Sequence, residues 1–404
     1  MTDFANTFKA TAQERDVYNL WKNDQNATGI NLAFGFRTKN LDVSRLSRAV
    51  DEIVLRHGHL RSVFFSEQGV VFRRELSTLS VSVERFPSSN FREFIRAFDL
   101  EHGPLVRVAV HKNIVLLDIC HIVTDGFSMA IFFSELDSLY SGCTVDYEAQ
   151  DVPLKSDEII QNNTMFWAEQ FDSPISPILL PFDKAGRGAY GGSEGSLTQK
   201  IGGETTRRVH SVCRGLSVTP FIFYFSAFLL FLSREGKSRD VATATNFSCR
   251  SSRTMRAIAL LAATAPVRFF VDENMTAGDF LHSVEGFVKS ALLHQSFDMA
   301  RLLEECGVGD VRDISRTVFT YEHERMANIR LGGEKCEFVP IPSRHSLNDF
   351  TLCFFPFRSE SRLLLIYRTD LFSPRRARSL LCSYTKTVRQ LLSTDTLLGK
   401  LLNE

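Results

Sequence analysis

The stretch Ile114–Met129, IVLLDICHIVTDGFSM, decides the fold. In its first eight residues only Asp118 and His121 are strongly polar. A run that short and that apolar, ended by a turn signal, reads as a central strand buried on both faces. Side chains alternate along a strand, so Val115, Leu117, Ile119 and His121 share one face and Leu116, Asp118 and Cys120 the other. After His121 come Ile-Val-Thr, an Asp125-Gly126 turn, and the run Phe127–Tyr140, whose pattern predicts a helix. An imidazole at the lip of a buried strand is a common way to mount an active site on a rigid scaffold. Alone, His-x-x-x-Asp-Gly is a weak pattern, because a histidine at a strand end is more often a hydrogen-bonded core residue.

The 404 residues exceed one ordinary core and suit two domains of about 200 each. With 47 basic and 47 acidic residues the formal net charge is zero, which argues against nucleic-acid binding, since that needs a basic excess. The 35 phenylalanines against 2 tryptophans are assigned to apolar cores and a tunnel. The N-terminus, MTDFANTFKATAQERD, lacks a basic lead followed by an apolar stretch and is not read as a signal peptide. The longest apolar run, Phe221–Leu232, has twelve residues against the ~20 a bilayer requires, so no membrane partner is expected. Thr219 and Pro220 before it match a helix cap and first position. Eight cysteines, none in a C-x-x-C pair, resemble neither a zinc site nor a disulfide framework. A reduced, cytoplasmic setting without a metal is the simplest reading.

Along the chain, helices are predicted at 13–22, Ser44–His57 (stopped by Gly58) and Asn90–Phe98, strands at Ile30–Arg37 and Val106–His111, and a hairpin at Phe65–Ser82. From Phe171 to Ser196 prolines 174, 177 and 181 and glycines 186, 188, 191, 192 and 195 mark the one sustained Pro/Gly shift. The domain boundary is placed there, giving lobes 1–175 and 176–404. The second half predicts helices at Glu204–Gly215, Pro220–Glu235, Ala277–Leu293, Met299–Glu305 and Pro374–Ser393. Its strands are predicted at Val241–Phe247, Pro266–Val271, Arg316–Tyr321, Phe350–Phe357 and Arg362–Tyr367. Strands and helices mixed without strict alternation suggest an α+β sandwich in each half.

Several stretches, in order, resemble one family. Thr11–Arg15 with Leu20-Trp21 is similar to an opening A-Q-x-R-x-W motif, and Arg56-His57-x-x-Leu60-Arg61-Ser62-x-Phe64 to R-H-x-x-L-R-T-x-F. Phe98-Asp99-Leu100 with Gly103-Pro104-Leu105, Cys120-His121-x-x-x-Asp125-Gly126-x-Ser128 and Tyr367–Phe372 continue the series. The chain resembles a condensation domain of nonribosomal peptide synthetases, in the chloramphenicol-acetyltransferase-like superfamily, over nearly its whole length. The resemblance implies two acetyltransferase-like α/β sandwich lobes in a V with a central tunnel, His121 at its floor. It implies docking of donor and acceptor carrier proteins, each with a phosphopantetheine arm, and no tightly bound cofactor. The piece is either free-standing or excised from a longer synthetase.

The chemistry fits these residues. Aminolysis of a thioester needs a proton acceptor near neutral pH and a donor to the oxyanion; an imidazole of ordinary pKa ~6.5 suits the first. The Gly126 amide suits the second, because glycine admits a ligand close to the main chain. The resemblance implies that Asp125 pairs with Arg61 to hold the loop, and Cys120 stands where the family has the first histidine of H-H. His57 and His59 are read as surface or packing residues. Where the family carries G-x-x-x-N-T, this chain reads Ala259-Leu260-Leu261-Ala262-Ala263-Thr264. The rival readings are an acyl-coenzyme A-dependent transferase acting on a small-molecule alcohol or amine, and a non-catalytic carrier-docking domain.

Overall fold

In a computed structural model the chain is described over residues 4–403 except 27, 174, 176–177, 186–191, 309–310, 315, 324–325, 327, 342–347 and 358–359. Of the expected boundary markers, Pro174, Pro177, Gly186, Gly188 and Gly191 lie outside the described residues. The chain opens with β1 (Phe4–Lys9) and α1 (Ala12–Asn23). Thr11 caps α1 reciprocally: its hydroxyl accepts from the Glu14 amide at 3.2 Å and its amide donates to the Glu14 carboxylate at 2.8 Å. β2 (Asn31–Arg37) and α2 (Val43–Arg56) follow, then β3 (Ser62–Glu67), β4 (Val70–Leu76), β5 (Val83–Arg85), β6 (Val106–His111), β7 (Ile114–Cys120) and α3 (Gly126–Tyr140). The β3–β4 turn places Gln68 and Gly69 at φ of 50° and 79°, the pair of left-handed residues that a tight hairpin needs.

All seven residues of β7 are buried, and the strand lies between β2 and β6 in the middle of a five-stranded sheet. On one face Phe34 and Phe36 of β2 meet Phe133 of α3 edge-on, at ring distances of 5.5 and 5.9 Å. On the other, Leu116 and Ala109 pack under Phe94 and Ile95. The segment carrying those two was expected as the helix Asn90–Phe98, but only Phe91–Glu93 forms a single 3-10 turn. The carbonyls of Arg96 and Ala97 turn instead to side chains of the sheet, accepting from Arg107 and Asn31. Gly58 is not the stop of α2 either. It opens a 3-10 turn (Gly58–Arg61), and a Cβ there would press against the Glu75 carboxylate, which would have to shift to admit a side chain.

Beyond Leu154 come α4 (Asp157–Glu169), β8 (Glu194–Ile201), α5 (Gly203–Leu216), α6 (Pro220–Glu235), β9 (Asp240–Phe247), β10 (Ala263–Phe270), α7 (Ala277–Leu293), α8 (Met299–Glu305) and β11 (Thr317–Tyr321). After them lie β12 (Arg330–Leu331), β13 (Glu334–Lys335), β14 (Glu337–Val339), β15 (Phe350–Phe355), β16 (Ser361–Arg368) and the helix Pro374–Gln390. A six-stranded sheet runs β10-β9-β11-β15-β16-β8, with β11 parallel to both its neighbours and the other pairs antiparallel. Residues Ile222–Ser233 of α6 are all buried, so the longest apolar run is the core helix of this sheet. Among the described residues no single helix is long and apolar enough to cross a membrane.

The chain forms two compact units: Met1–Leu154, Ser248–Ala262 and His323–His345 make one, and Lys155–Phe247, Ala263–Glu322 and Ser346–Glu404 the other. The division expected at 175/176 therefore falls inside the second unit. The first change of unit lies instead between Leu154 and Lys155. Two later segments return to the first unit. One is the Ser248–Ala262 link between β9 and β10; the other supplies β14, which adds to the first sheet by pairing antiparallel with β2.

Candidate active site

β7 ends at Cys120, and His121 leaves the strand to open a single 3-10 turn, His121–Val123. Strand alternation thus stops one residue short of the histidine. Its amide donates to the Ile30 carbonyl at 2.7 Å, and its ring Nδ1 lies 2.7 Å from the Thr124 carbonyl oxygen. A carbonyl only accepts, so Nδ1 carries the proton; in the neutral ring Nε2 is then left with the lone pair. The side chain is half-buried, while Thr124 and Asp125 behind it are fully buried.

Asp125 caps α3, accepting from the Ser128 amide at 2.7 Å. Its other oxygen accepts from the amides of Leu261 and Ala262, both at 3.0 Å. Arg250 completes the set, with Nη2 at 3.0 and 3.2 Å from the two carboxylate oxygens and 2.7 Å from Ser128 Oγ. The same guanidinium donates to the carbonyls of Thr254 and Ala257 and lies over the Phe127 ring at 4.5 Å. Ser128 Oγ in turn donates to the Ala259 carbonyl and accepts from its amide, at 2.7 and 3.1 Å. The Ala259–Ala262 stretch therefore holds Asp125 and Ser128 through its backbone. Gly126 is the first residue of α3 and is half-buried; its amide belongs to the open N-terminal turn, where helix N–H groups face outward.

The expected Asp125–Arg61 pair is not formed. Arg61 donates to the carbonyls of Leu76 (2.9 Å) and Leu55 (3.1 Å) and stands 3.7 Å from Glu75, so it ties the Gly58–Arg61 turn to β4. The counter-charge of Asp125 is Arg250, 125 residues away in sequence, a partner that no local pattern marks. His57 and His59 are both buried packing residues: His57 Nε2 is 3.1 Å from Glu135, and His59 lies 3.7 Å from Glu14. Burial first, and then the Arg73 charge, hold the His59 pKa well below its ordinary value.

Cys120 is fully buried, and burial pushes its thiol up to about 12. Cys353 is in the same condition, whereas Cys143 and Cys382 are exposed. Because the thiolate is the reactive form, a short pulse of iodoacetamide at pH 8 is expected to label Cys143 and Cys382 and spare Cys120 and Cys353. Peptide mapping by mass reads this directly, and rapid native-state labelling of Cys120 would contradict its burial.

A family model described as Condensation domain matches residues 8–398. The chain belongs to the condensation-domain family. Surfactin synthase subunit 2 of Bacillus subtilis (strain 168) is 25% identical over 364 residues, which cover 83% of this chain and 10% of the relative. The condensation domain thus spans about a tenth of the length of such curated relatives. Among solved structures, the condensation domain from monacolin K polyketide synthase superposes with a TM-score of 0.81 at 18% identity, covering 98% of this chain and 100% of that one. A variant of the starter condensation domain of rhizomide synthetase, in complex with C8-CoA and Leu-SNAC, gives 0.81 at 12%, covering 97% and 96%. The mixed α/β architecture is the chloramphenicol-acetyltransferase-like fold expected from the motifs. Condensation domains of nonribosomal peptide synthetases are acyltransferases that form peptide bonds.

Proposed function

We propose that this condensation domain transfers an acyl group from the phosphopantetheine thioester of a donor carrier protein to an amine or hydroxyl. The acceptor is presented by a second carrier protein or as a small molecule. The acceptor nitrogen or oxygen attacks the thioester carbon, the C–S bond breaks, and a C–N or C–O bond replaces it. His121 Nε2 accepts the proton released by the acceptor, or hydrogen-bonds the attacking amine, and the pantetheine leaves as a thiol. The Gly126 amide donates to the oxyanion of the tetrahedral intermediate.

One observation carries the reading: the 2.7 Å contact of His121 Nδ1 with the Thr124 carbonyl, which leaves Nε2 the basic nitrogen at the end of a rigid strand. Asp125, with its hydrogen bonds filled by Arg250 and three amides, is a holding group with no proton to transfer.

A second reading, with an acyl-coenzyme A donor and a small acceptor, has one support: the rhizomide synthetase relative was captured with C8-CoA and Leu-SNAC. The discriminating assay supplies the protein with acyl-loaded carrier, or with acyl-coenzyme A, and a panel of amines and alcohols, and reads products by mass. Amide or ester from loaded carrier alone is the expected result. Transfer from coenzyme A alone moves the domain to the second reading, and no product with either donor leaves it a carrier-docking module.

A further inference from the structure

β7 carries one charged residue, and the chemistry above leaves it unused. Asp118 is wholly buried in the middle of an apolar strand. In register it faces Arg107 on β6 and Ala33 on β2. Arg107 Nη1 reaches its carboxylate at 3.1 Å. Ala33 offers nothing, and the small side chain leaves room for Asn31, two residues back along β2 opposite Cys120, to reach across diagonally. Asn31 Nδ2 lies 2.9 and 3.1 Å from the two carboxylate oxygens and donates to the Arg96 carbonyl at 2.8 Å. Arg107 binds the carbonyls of Arg96 and Ala97 at 2.6 and 2.7 Å and lies 3.7 Å over the Phe98 ring. Three strands and the covering segment are thus pinned at one carboxylate, three residues before His121.

The link to His121 is short. Asn31 opens β2, and the residue before it, Ile30, supplies the carbonyl that holds the His121 amide at 2.7 Å. We infer that the Asn31–Asp118–Arg107 cluster is a positioning group for His121, setting where its ring points through the Ile30 carbonyl and doing so best when Asp118 is ionised. The inference rests on the reading of His121 as base.

Asn31 is the element with two states. With Asp118 ionised, its NH2 group must face the carboxylate, and its Oδ1 is buried without a partner among the described residues. A protonated Asp118 would instead offer an O–H for which Oδ1 is the natural acceptor, and turning the amide to take it gives up the bond to Arg96. Burial pushes the Asp118 pKa up to about 7, against the opposing pull of Arg107, Asn31 and Arg96; the Cys120 thiol on the same face is neutral. Asp118 therefore takes up its proton as pH falls through about 7, and kcat is expected to fall with it.

The test uses Asp118→Asn and Asn31→Ala in the transfer assay, with a pH profile and the 15N shifts of the His121 ring. Each variant is expected to lose on the order of 10-fold in kcat at pH 8 with KM unchanged, the scale of a slightly misplaced catalytic group. D118N should lack the fall in kcat near pH 7 that Asp118 contributes in the wild type, and the His121 15N shifts should lose their inflection there. Should D118N fail to fold, N31A, which keeps the Asp118–Arg107 pair, decides by kcat and 15N shifts alone. Folded variants with wild-type kcat and unchanged His121 15N shifts would overturn the inference. Failure of the base reading itself is seen separately, as activity surviving in a His121→Ala protein.

Discussion

His121→Ala is expected to fold near-normally and to lose transfer by a factor on the order of 10²–10⁴, the range of a positioned acid–base group. The structural part of the argument is that His121 has left the strand. β7 closes at Cys120, and the imidazole is half-buried on a 3-10 turn, with one ring hydrogen bond to the Thr124 carbonyl. Truncation removes that bond, at about 1 kcal/mol, and opens no fully buried cavity. The chemical part is that Nε2 is the nitrogen left free to accept once Nδ1 is committed. Thermal melting together with single-turnover transfer from loaded carrier checks both. A folded H121A protein with a rate within about threefold of wild type sinks the base assignment, and the coenzyme A reading with it, because both depend on the same imidazole. A raised KM alone, with kcat intact, would make the histidine a binding group.

Much of this was legible in the sequence because it is local. The strand Ile114–Cys120, the turn and α3 follow each other within a few residues, so periodicity and turn chemistry place His121, Asp125 and Gly126 together. α6 was found to the residue from Thr219 and Pro220, and the Thr219 hydroxyl does accept from the Ile222 amide. What sequence reading missed depends on partners far along the chain. β1 and β8 are edge strands, exposed along Asn6–Lys9 in the first and mixed in the second, and β14 is three residues that gain their form only by pairing with β2. The segment Asn90–Phe98 has helical spacing, yet its carbonyls are claimed by Arg107 and Asn31. The boundary error has the same origin, since a Pro/Gly-rich stretch reports local backbone freedom and says nothing of which core the flanking segments join. Arg250 was hidden among 47 basic residues; the one usable signal was that the Asp-Gly-x-Ser helix start buries an acid with no cation within its own turn.

Arg250 therefore inherits the architectural prediction that the motif resemblance attached to Arg61. Its side chain is 1% exposed and that of Asp125 is 0%, so neither charge has water to fall back on. Arg250→Ala strands the carboxylate and also removes the donors to Thr254, Ala257 and Ser128. Removing one partner of such a pair costs about 3–5 kcal/mol; the amides of Ser128, Leu261 and Ala262 remain on Asp125 and hold the cost toward the lower end. Arg61→Ala breaks two bonds to carbonyls and a 3.7 Å ion pair, a loss of about 1–2 kcal/mol. Urea unfolding of both variants gives the order directly. Asp125→Asn in the Arg250→Ala background is expected to recover part of the loss, since the amide can stay buried uncharged, and the resulting double-mutant cycle isolates the pair from the other bonds of Arg250. Two results would refute the assignment: Arg61→Ala proving the more damaging of the two, or the cycle coming out additive. Activity should follow stability in Arg250→Ala, returning toward wild type at temperatures where the variant stays folded, because its contribution to the reaction is to hold the turn on which His121 and Gly126 are set.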